Sequence, residues 1–402
     1  MPPMSSRPLP TPLLTAALAL LSFVVPLGTD MYLPAFPRMA DDLGTDASGV
    51  QLTLTAFLVG LAAGQLVLGP VSDRFGRRGP ILLGSAVCTV ATALCAVAPT
   101  TEWLIALRFV TGFSGAAGIV VGRAVVSDVA EGGAAARLFG ILMALGGLAP
   151  IVAPLLGGAV AGAFGWRGVF WALAAASALM FLGALIAVPE TLPENGRRTA
   201  GLPAALGAAG AVLANRHYLG HTLAFVFGSG SLFCYIAASP FLFQEVLGMD
   251  MRQMSMAFSA GALTATLSSA ANARLVSRFR PARLLVAGLA AMAVPMGAAM
   301  AAALTGRLGT PLVLVLLTVN FLGLGLVFAN ATALAIGCVP RAAGTGSAVL
   351  GTLQSAVGAA VAPLMGLGDQ GTAVPLLAGM TAGPCAALLS LLLTRGREEE
   401  GS

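Results

Sequence analysis

The sequence predicts an all-helical integral membrane protein, with twelve transmembrane helices arranged as two pseudo-symmetric six-helix bundles. Of its 402 residues, 57% are hydrophobic and only 9% are charged, whereas a soluble globular chain carries about 25% charge. Apolar runs of the roughly 20 residues needed to cross about 30 Å of hydrocarbon recur along the whole length. The longest polar interval, 190–216, lies near the midpoint and separates six such runs from six others. A mean hydropathy of +0.92 excludes a disordered chain, which is poor in apolar residues. The 21 basic residues are all arginine and exceed the 16 acids by only five. They are scattered rather than gathered on one face, so no nucleic-acid partner is expected.

In chain order the first six runs lie near 12–37, 48–72, 80–99, 102–128, 138–163 and 168–189. The second six lie near 217–243, 254–277, 283–304, 311–338, 344–367 and 372–394. Strands of a membrane barrel alternate apolar and polar residues, and stretches such as Ile81 to Val87 and Leu312 to Leu317 do not. Arg7 ahead of an apolar stretch has the look of a secretory leader. The run continues past Asp30 to Pro37 without a small-residue cleavage site, so the first span is expected to be retained. Cys88, Cys95, Cys234, Cys338 and Cys385 all fall inside spans without a Cys-x-x-Cys pair, and read as small buried apolar residues.

Basic loops stay on the cytoplasmic side. With both termini inside, sixteen arginines collect on the inner side. Only Arg38, Arg167, Arg252 and Arg307 lie on the outer side, and Arg108 belongs to neither set. The expected organisation is an N-terminal bundle over 1–189, a central cytoplasmic loop over 190–216 and a C-terminal bundle over 217–402. Weak internal similarity points to duplication. Arg74-Phe75 recurs as Arg278-Phe279 at an offset of 204, Ala153-Pro154-Leu155 as Ala362-Pro363-Leu364 at 209, and Pro34 as Pro240 at 206. Repeated halves are a mark of secondary transporters, whose substrate site lies near the membrane midplane.

Six segments carry a family resemblance. Gly69-Pro-Val-Ser-Asp-Arg-Phe-Gly-Arg-Arg78 resembles the signature loop of the major facilitator superfamily. Leu104-x-x-x-Arg108-x-x-Thr-Gly112-x-x-Gly115 is similar to its second motif, with Thr111 where glutamine is common. Ala149-Pro150-x-x-Ala153-Pro154-x-x-Gly157-Gly158 resembles the span 5 motif of its drug/proton antiporters, with Ala153 where glycine is usual. Thr29 to Pro37, Gly165 to Trp171 and Ser239 to Glu245 resemble the bicyclomycin/chloramphenicol-resistance branch. The resemblance implies a proton-coupled antiporter that exports small amphipathic drugs from a bacterial cytoplasm by alternating access. The competing expectation is a specific exporter or importer of a metabolite such as a sugar or amino acid derivative.

Ionisable residues inside a span are costly and point to function. Asp30 lies about seven residues from the outer end of span 1 and Arg108 about six residues into span 4, so at 1.5 Å per residue both sit roughly 10 Å below the outer surface. The resemblance sets these spans around a central cavity, with Asp30 carrying the proton and Arg108 facing it and tuning its affinity; a fixed ion pair between the two helices is the alternative. In the signature loop, Gly69 and Gly76 permit a tight turn. Asp73 is expected to meet the N-terminus of span 11, while Arg74, Arg77 and Arg78 are placed to pair with Asp128 or Glu131 as a cytoplasmic gate. Pro150, Pro154, Gly157 and Gly158 bend span 5 and allow close packing, as do Gly60-x-x-x-Gly64 and Gly118-x-x-x-Gly122. Tyr32, Gln65, Arg123, Tyr235, Asn330 and Gln354 are candidates for the substrate cavity wall, and Arg123, near the inner end of span 4, is equally expected as a positive-inside anchor snorkelling to lipid headgroups. Polar groups within spans need partners away from lipid, so interhelical bonding competes with the cavity role.

With no lysine there is no phosphate loop, and no ATP-driven step is expected. His217 and His221 lack the acid or cysteine partners of a zinc site, so no metal or other cofactor is expected. The proton gradient is the expected energy source, and the expected partners are a small drug molecule, protons and membrane lipids, with the chain acting as a monomer. No enzyme activity is expected.

Overall fold

The computed structural model describes residues 11–130, 132–193, 202–366 and 372–395. Its helices are α1 (Pro12–Asp30), α2 (Phe36–Leu43), α3 (Ala47–Phe75), α4 (Arg78–Ala96), α5 (Thr101–Val129), α6 (Gly132–Ala187), α7 (Leu202–Leu213), α8 (Arg216–Phe241), α9 (Met251–Leu275), α10 (Pro281–Leu304), α11 (Thr310–Gly337), α12 (Ala343–Gly366) and α13 (Val374–Arg395). Among the described residues no strand occurs. Ten stretches are long and apolar enough to cross a membrane. One of these bends at Gly165 (φ 69°, ψ −179°) and therefore supplies two crossings. The more polar α9 adds the twelfth. Arg7, Glu131 and residues 194–201 lie outside the described residues, so Glu131 as a partner for the signature loop stays an expectation.

Helix starts follow local chemistry. Thr11, Asp46 and Asn215 cap α1, α3 and α8 through their side-chain oxygens. Asp250 and Gln253 form a reciprocal capping box at α9, which satisfies donors that a helix N-terminus leaves unpaired.

Two features differ from the expected spans. The first span is not one helix over 12–37: α1 ends at Asp30, a 3-10 turn covers Leu33–Ala35, and α2 begins at Phe36. Pro34 lacks the N–H that would bond to the carbonyl of Asp30, and Pro37 removes the next such donor. The 190–216 interval is not all loop, because it contains α7.

Small residues set the packing. Any side chain on Gly60 or Gly64 of α3 would strike the backbone of Phe109 or Phe113, and one on Gly112 of α5 would strike that of Phe57. Gly118 lies as closely against Leu21 of α1. The two bundles meet where α3 packs on α12, where α6 packs on α9 and where α8 meets the 3-10 turn. The larger buried apolar cluster runs across both bundles. A smaller one, around Leu18, Leu21, Val125 and Met180, belongs to the first.

Candidate functional site

The break after α1 places Asp30 inside the bundle at 5% exposure. Its carboxyl makes no ion pair or hydrogen bond among the described residues. Arg108, at 2% exposure, donates from Nη2 to the carbonyl oxygen of Gly28 at 2.8 Å. Helix α1 stops at Asp30, so its final carbonyls lack intrahelical donors, and a cation at a helix C-terminus also meets the negative end of its dipole. The Arg108 guanidinium lies 4.2 Å from the ring centroid of Phe57, 4.4 Å from that of Tyr32 and 5.9 Å from that of Phe170. The expected facing pair of Asp30 and Arg108 is therefore not formed. The planar guanidinium stacks on aromatic faces and reaches the main chain two residues before the acid.

Tyr32 is correspondingly not a cavity wall. It is fully buried, its hydroxyl lies 3.3 Å from Thr53 Oγ1, and its ring meets Phe36 edge-on. Gly157 lets α6 approach the carbonyl of Met31, the residue after Asp30, and Gly158 lets it approach Ser255 of α9 in the other bundle. The span 5 motif thus touches both the break in the first span and the interface between bundles. Pro150 and Pro154 lie inside α6, about two turns and one turn, respectively, before these glycines.

At this end of the molecule two glutamine amides join the bundles. Gln51 of α3 donates to the carbonyl of Ala237 at 3.1 Å, and Gln244 donates to the carbonyl of Pro34, also at 3.1 Å. Phe36 and Phe241 pack between them, 6.3 Å apart. One acceptor is the carbonyl of Pro34 itself and the other, Ala237, lies three residues before Pro240, and prolines disrupt helical hydrogen bonding. Sequence reasoning missed the glutamines; the available signal was a polar residue in an otherwise apolar turn next to such a proline.

The signature loop sits at the opposite end. Arg77 Nε donates to Asp128 at 3.0 Å, and Nη1 donates to Ser72 at 2.8 Å and to Asp73. Burial works against the Arg77 charge, but its bonds to Asp128 and Asp73 outweigh that cost and hold the guanidinium above its ordinary range. Asp73 thus pairs within its own loop rather than with the start of α12. Glu190, which sequence reasoning passed over, accepts from the backbone N–H groups of Arg77 (2.8 Å) and Arg78 (3.2 Å) and so caps α4. An acid there satisfies orphan donors and the helix dipole. Gly76 has φ 94°, and a side chain on it would collide with Glu190. Gly69 faces Val120 of α5. Arg78 donates to the carbonyl of Leu185 at 3.2 Å, and Arg74 lies over its neighbour Phe75.

The other candidate cavity residues divide. Asn330 is buried and donates to Asn272 at 2.7 Å and to the Leu326 carbonyl at 2.9 Å, so it ties α11 to α9 instead of facing a cavity. Tyr235 packs against Phe258, Phe321 and Phe243 within the second bundle and lines a crevice between α9 and α11, where its hydroxyl has no hydrogen-bond partner among the described residues. Gln65 lies against Gly351 where α3 meets α12, and Gln354 is half-buried on α12. Arg123 is exposed, and its guanidinium makes no ion pair among the described residues, Asp128 being engaged by Arg77.

The family model of the Major Facilitator Superfamily matches residues 18–363. The chain belongs to the Major Facilitator Superfamily. It is 34% identical over 362 residues, 89% of each chain, to YdgK, an uncharacterized MFS-type transporter of Bacillus subtilis (strain 168). It is 30% identical over 374 residues, 92% of each chain, to a bicyclomycin resistance protein homolog of Haemophilus influenzae. Its fold matches that of a bacterial homolog of the human lysosomal transporter Spinster, with a TM-score of 0.74 at 18% identity and 96% coverage of both chains. This facilitator is a multi-pass membrane transporter and not an enzyme, and its signature loop and span 5 motif occupy the two ends just described.

Proposed function

We propose that the protein exports small, uncharged amphipathic drugs across a bacterial plasma membrane, exchanging them for protons by alternating access. The observation that carries the reading is Asp30, a carboxyl buried within the membrane without a counter-ion at the break in the first span. A charge in such a place is costly unless water or a cation reaches it. A change of state that brings Asp30 to water or to Arg108, and then encloses it again, therefore releases and rebinds a proton. The resistance-protein relative supports a drug as the exchanged cargo, and the positive-inside rule assigns the Asp73–Arg78 end and both termini to the cytoplasm. No bound cofactor enters the cycle, and the chain works as a monomer.

The test is uptake of chloramphenicol into inverted vesicles under an imposed proton gradient. Asp30→Asn is expected to abolish gradient-driven uptake while leaving drug binding to the purified protein intact. Undiminished gradient-driven uptake by that variant would refute the coupling role. A second reading, transport of an anionic metabolite, is favoured by the exposed, unpaired Arg123. On that reading Arg123→Gln would abolish transport of a carboxylate-bearing substrate and leave chloramphenicol untouched.

A further inference from the structure

The second bundle contains a crevice of about 630 Å³ between α9 and α11, roofed by the turn 247–249 and reaching Tyr235 of α8. Its lining changes along its length. Gln253 and Thr310 stand at the helix ends, and Met256, Ala260 and Leu314 continue inward until Phe321 closes it. Eleven residues separate Thr310 from Phe321, a depth of about 16 Å, or roughly half of the hydrocarbon thickness. Such a depth matches one leaflet.

The residues on α9 that line the crevice lie on a different face from Ser255, which packs on α6, and Met256 and Ala260 are exposed. The crevice therefore opens sideways toward lipid. No charged side chain lines it. Two arginines adjoin its outer lining residues in the chain, Arg252 immediately before Gln253 and Arg307 three residues before Thr310, while the nearby Asp250 is engaged as the cap of α9 through Gln253. Both arginines are exposed and neither forms an ion pair among the described residues. In the matching place of the first bundle, α3 and α5 are closed together by Gly60, Gly64 and Gly112, whereas α9 and α11 meet as closely further along, where Gly325 lies against the Ala265 carbonyl.

We propose that this crevice is a binding site for one anionic phospholipid, its acyl chain between α9 and α11 and its phosphate against Arg252 and Arg307. The apolar interior receives the chain, and the two unpaired guanidinium groups match a phosphate, which Arg binds through paired donors. Each arginine near a membrane surface favours an anionic lipid by about fivefold.

The test is native mass spectrometry of the full chain released from nanodiscs of equal parts palmitoyl-oleoyl phosphatidylglycerol and phosphatidylcholine. The wild type is expected to retain one phosphatidylglycerol selectively. Arg252→Gln and Arg307→Gln are each expected to reduce that selectivity about fivefold, while Arg38→Gln, at the same end but far in sequence from the crevice, leaves it unchanged. Ala260→Phe, which fills the crevice, is expected to remove the retained lipid of either headgroup. Arg307 lies in an exposed turn, so its variant remains informative if Ala260→Phe fails to fold. Unchanged selectivity in both arginine variants would overturn the proposal. Displacement of the bound species by chloramphenicol but not by added phosphatidylglycerol would also overturn it and mark a drug site instead.

Discussion

At the scale of single residues, Arg108 and Asp30 share one region but are held by different forces, and their substitution should separate stability from coupling. Arg108 is kept by ring faces and a main-chain carbonyl. A desolvated cation over an aromatic ring contributes about 2 kcal/mol, and a lysine ammonium can reproduce neither the stack nor the planar donor geometry. Arg108→Lys should therefore lower the thermal unfolding midpoint of the purified protein, by an amount equivalent to about 2 kcal/mol. Asp30→Asn exchanges a buried carboxyl, which carries its proton in the enclosed state and has no partner among the described residues, for a neutral amide of the same shape, so its midpoint should stay level or rise even as coupled transport is lost. A fall in the midpoint for Asp30→Asn comparable to that for Arg108→Lys would mean that the acid is a structural anchor. At the signature loop, Gly76→Ala should cost more than Glu190→Gln. The first forces a Cβ-bearing residue into a positive-φ extended conformation that glycine alone adopts readily, about 1–3 kcal/mol, and also displaces Glu190; the second weakens the cap on α4 and the bond from the Leu192 N–H, by about 1 kcal/mol.

At the scale of elements, the helices were legible because the bilayer imposes one length and one composition on each of them. Most ends fell within about three residues of those expected from the sequence. What the sequence hid was set by contacts across the fold. The division of the first span follows from Pro34 and Pro37, yet Pro154 and Pro363 lie in helices that continue; only packing distinguishes the two outcomes. The direct pairing of Asp30 with Arg108 failed for a related reason, since the rings of Tyr32, Phe57 and Phe170 come from the break after α1, from α3 and from α6, and no local pattern assembles them. Similarly, Asn330 and Gln354 look alike in sequence, but only Asn330 has an amide partner across the helix interface. The glycines give the cleanest element-level test. Gly112→Val should push α5 off α3 and abolish the folded yield in gel filtration, because its side chain would overlap the backbone of Phe57 and Leu61. Gly140→Ala, where no atom crowds the added methyl group, should leave that yield unchanged.

At the scale of the whole molecule, alternating access requires the contacts between bundles at each end to form and break. At the Gln51 end those contacts include two side-chain amides on two carbonyls of the other bundle, with Phe36 and Phe241 beside them and Gly158 of α6 close against Ser255 of α9. Neutral hydrogen bonds contribute about 0.5–1.5 kcal/mol each, enough to bias an equilibrium between two states and small enough to break in every cycle. Replacing both glutamines by alanine should shift the population toward the state open at that end by about 2 kcal/mol, a factor of roughly 30. Spin labels on cysteines placed at Asp46 and Met249, in a background free of the five native cysteines, would report the shift as a longer distance between the bundles. The gain should be roughly the product of the two single variants, since Gln51 and Gln244 contact different acceptors and share no partner. Chloramphenicol, if it binds the state open at the arginine-rich end, should reverse the shift by an amount set by its preference for that state. An unchanged distance distribution in the double variant would mean that the aromatic contact rather than the amides holds this end closed, and Phe36→Ala would then produce the opening that the glutamine variants do not.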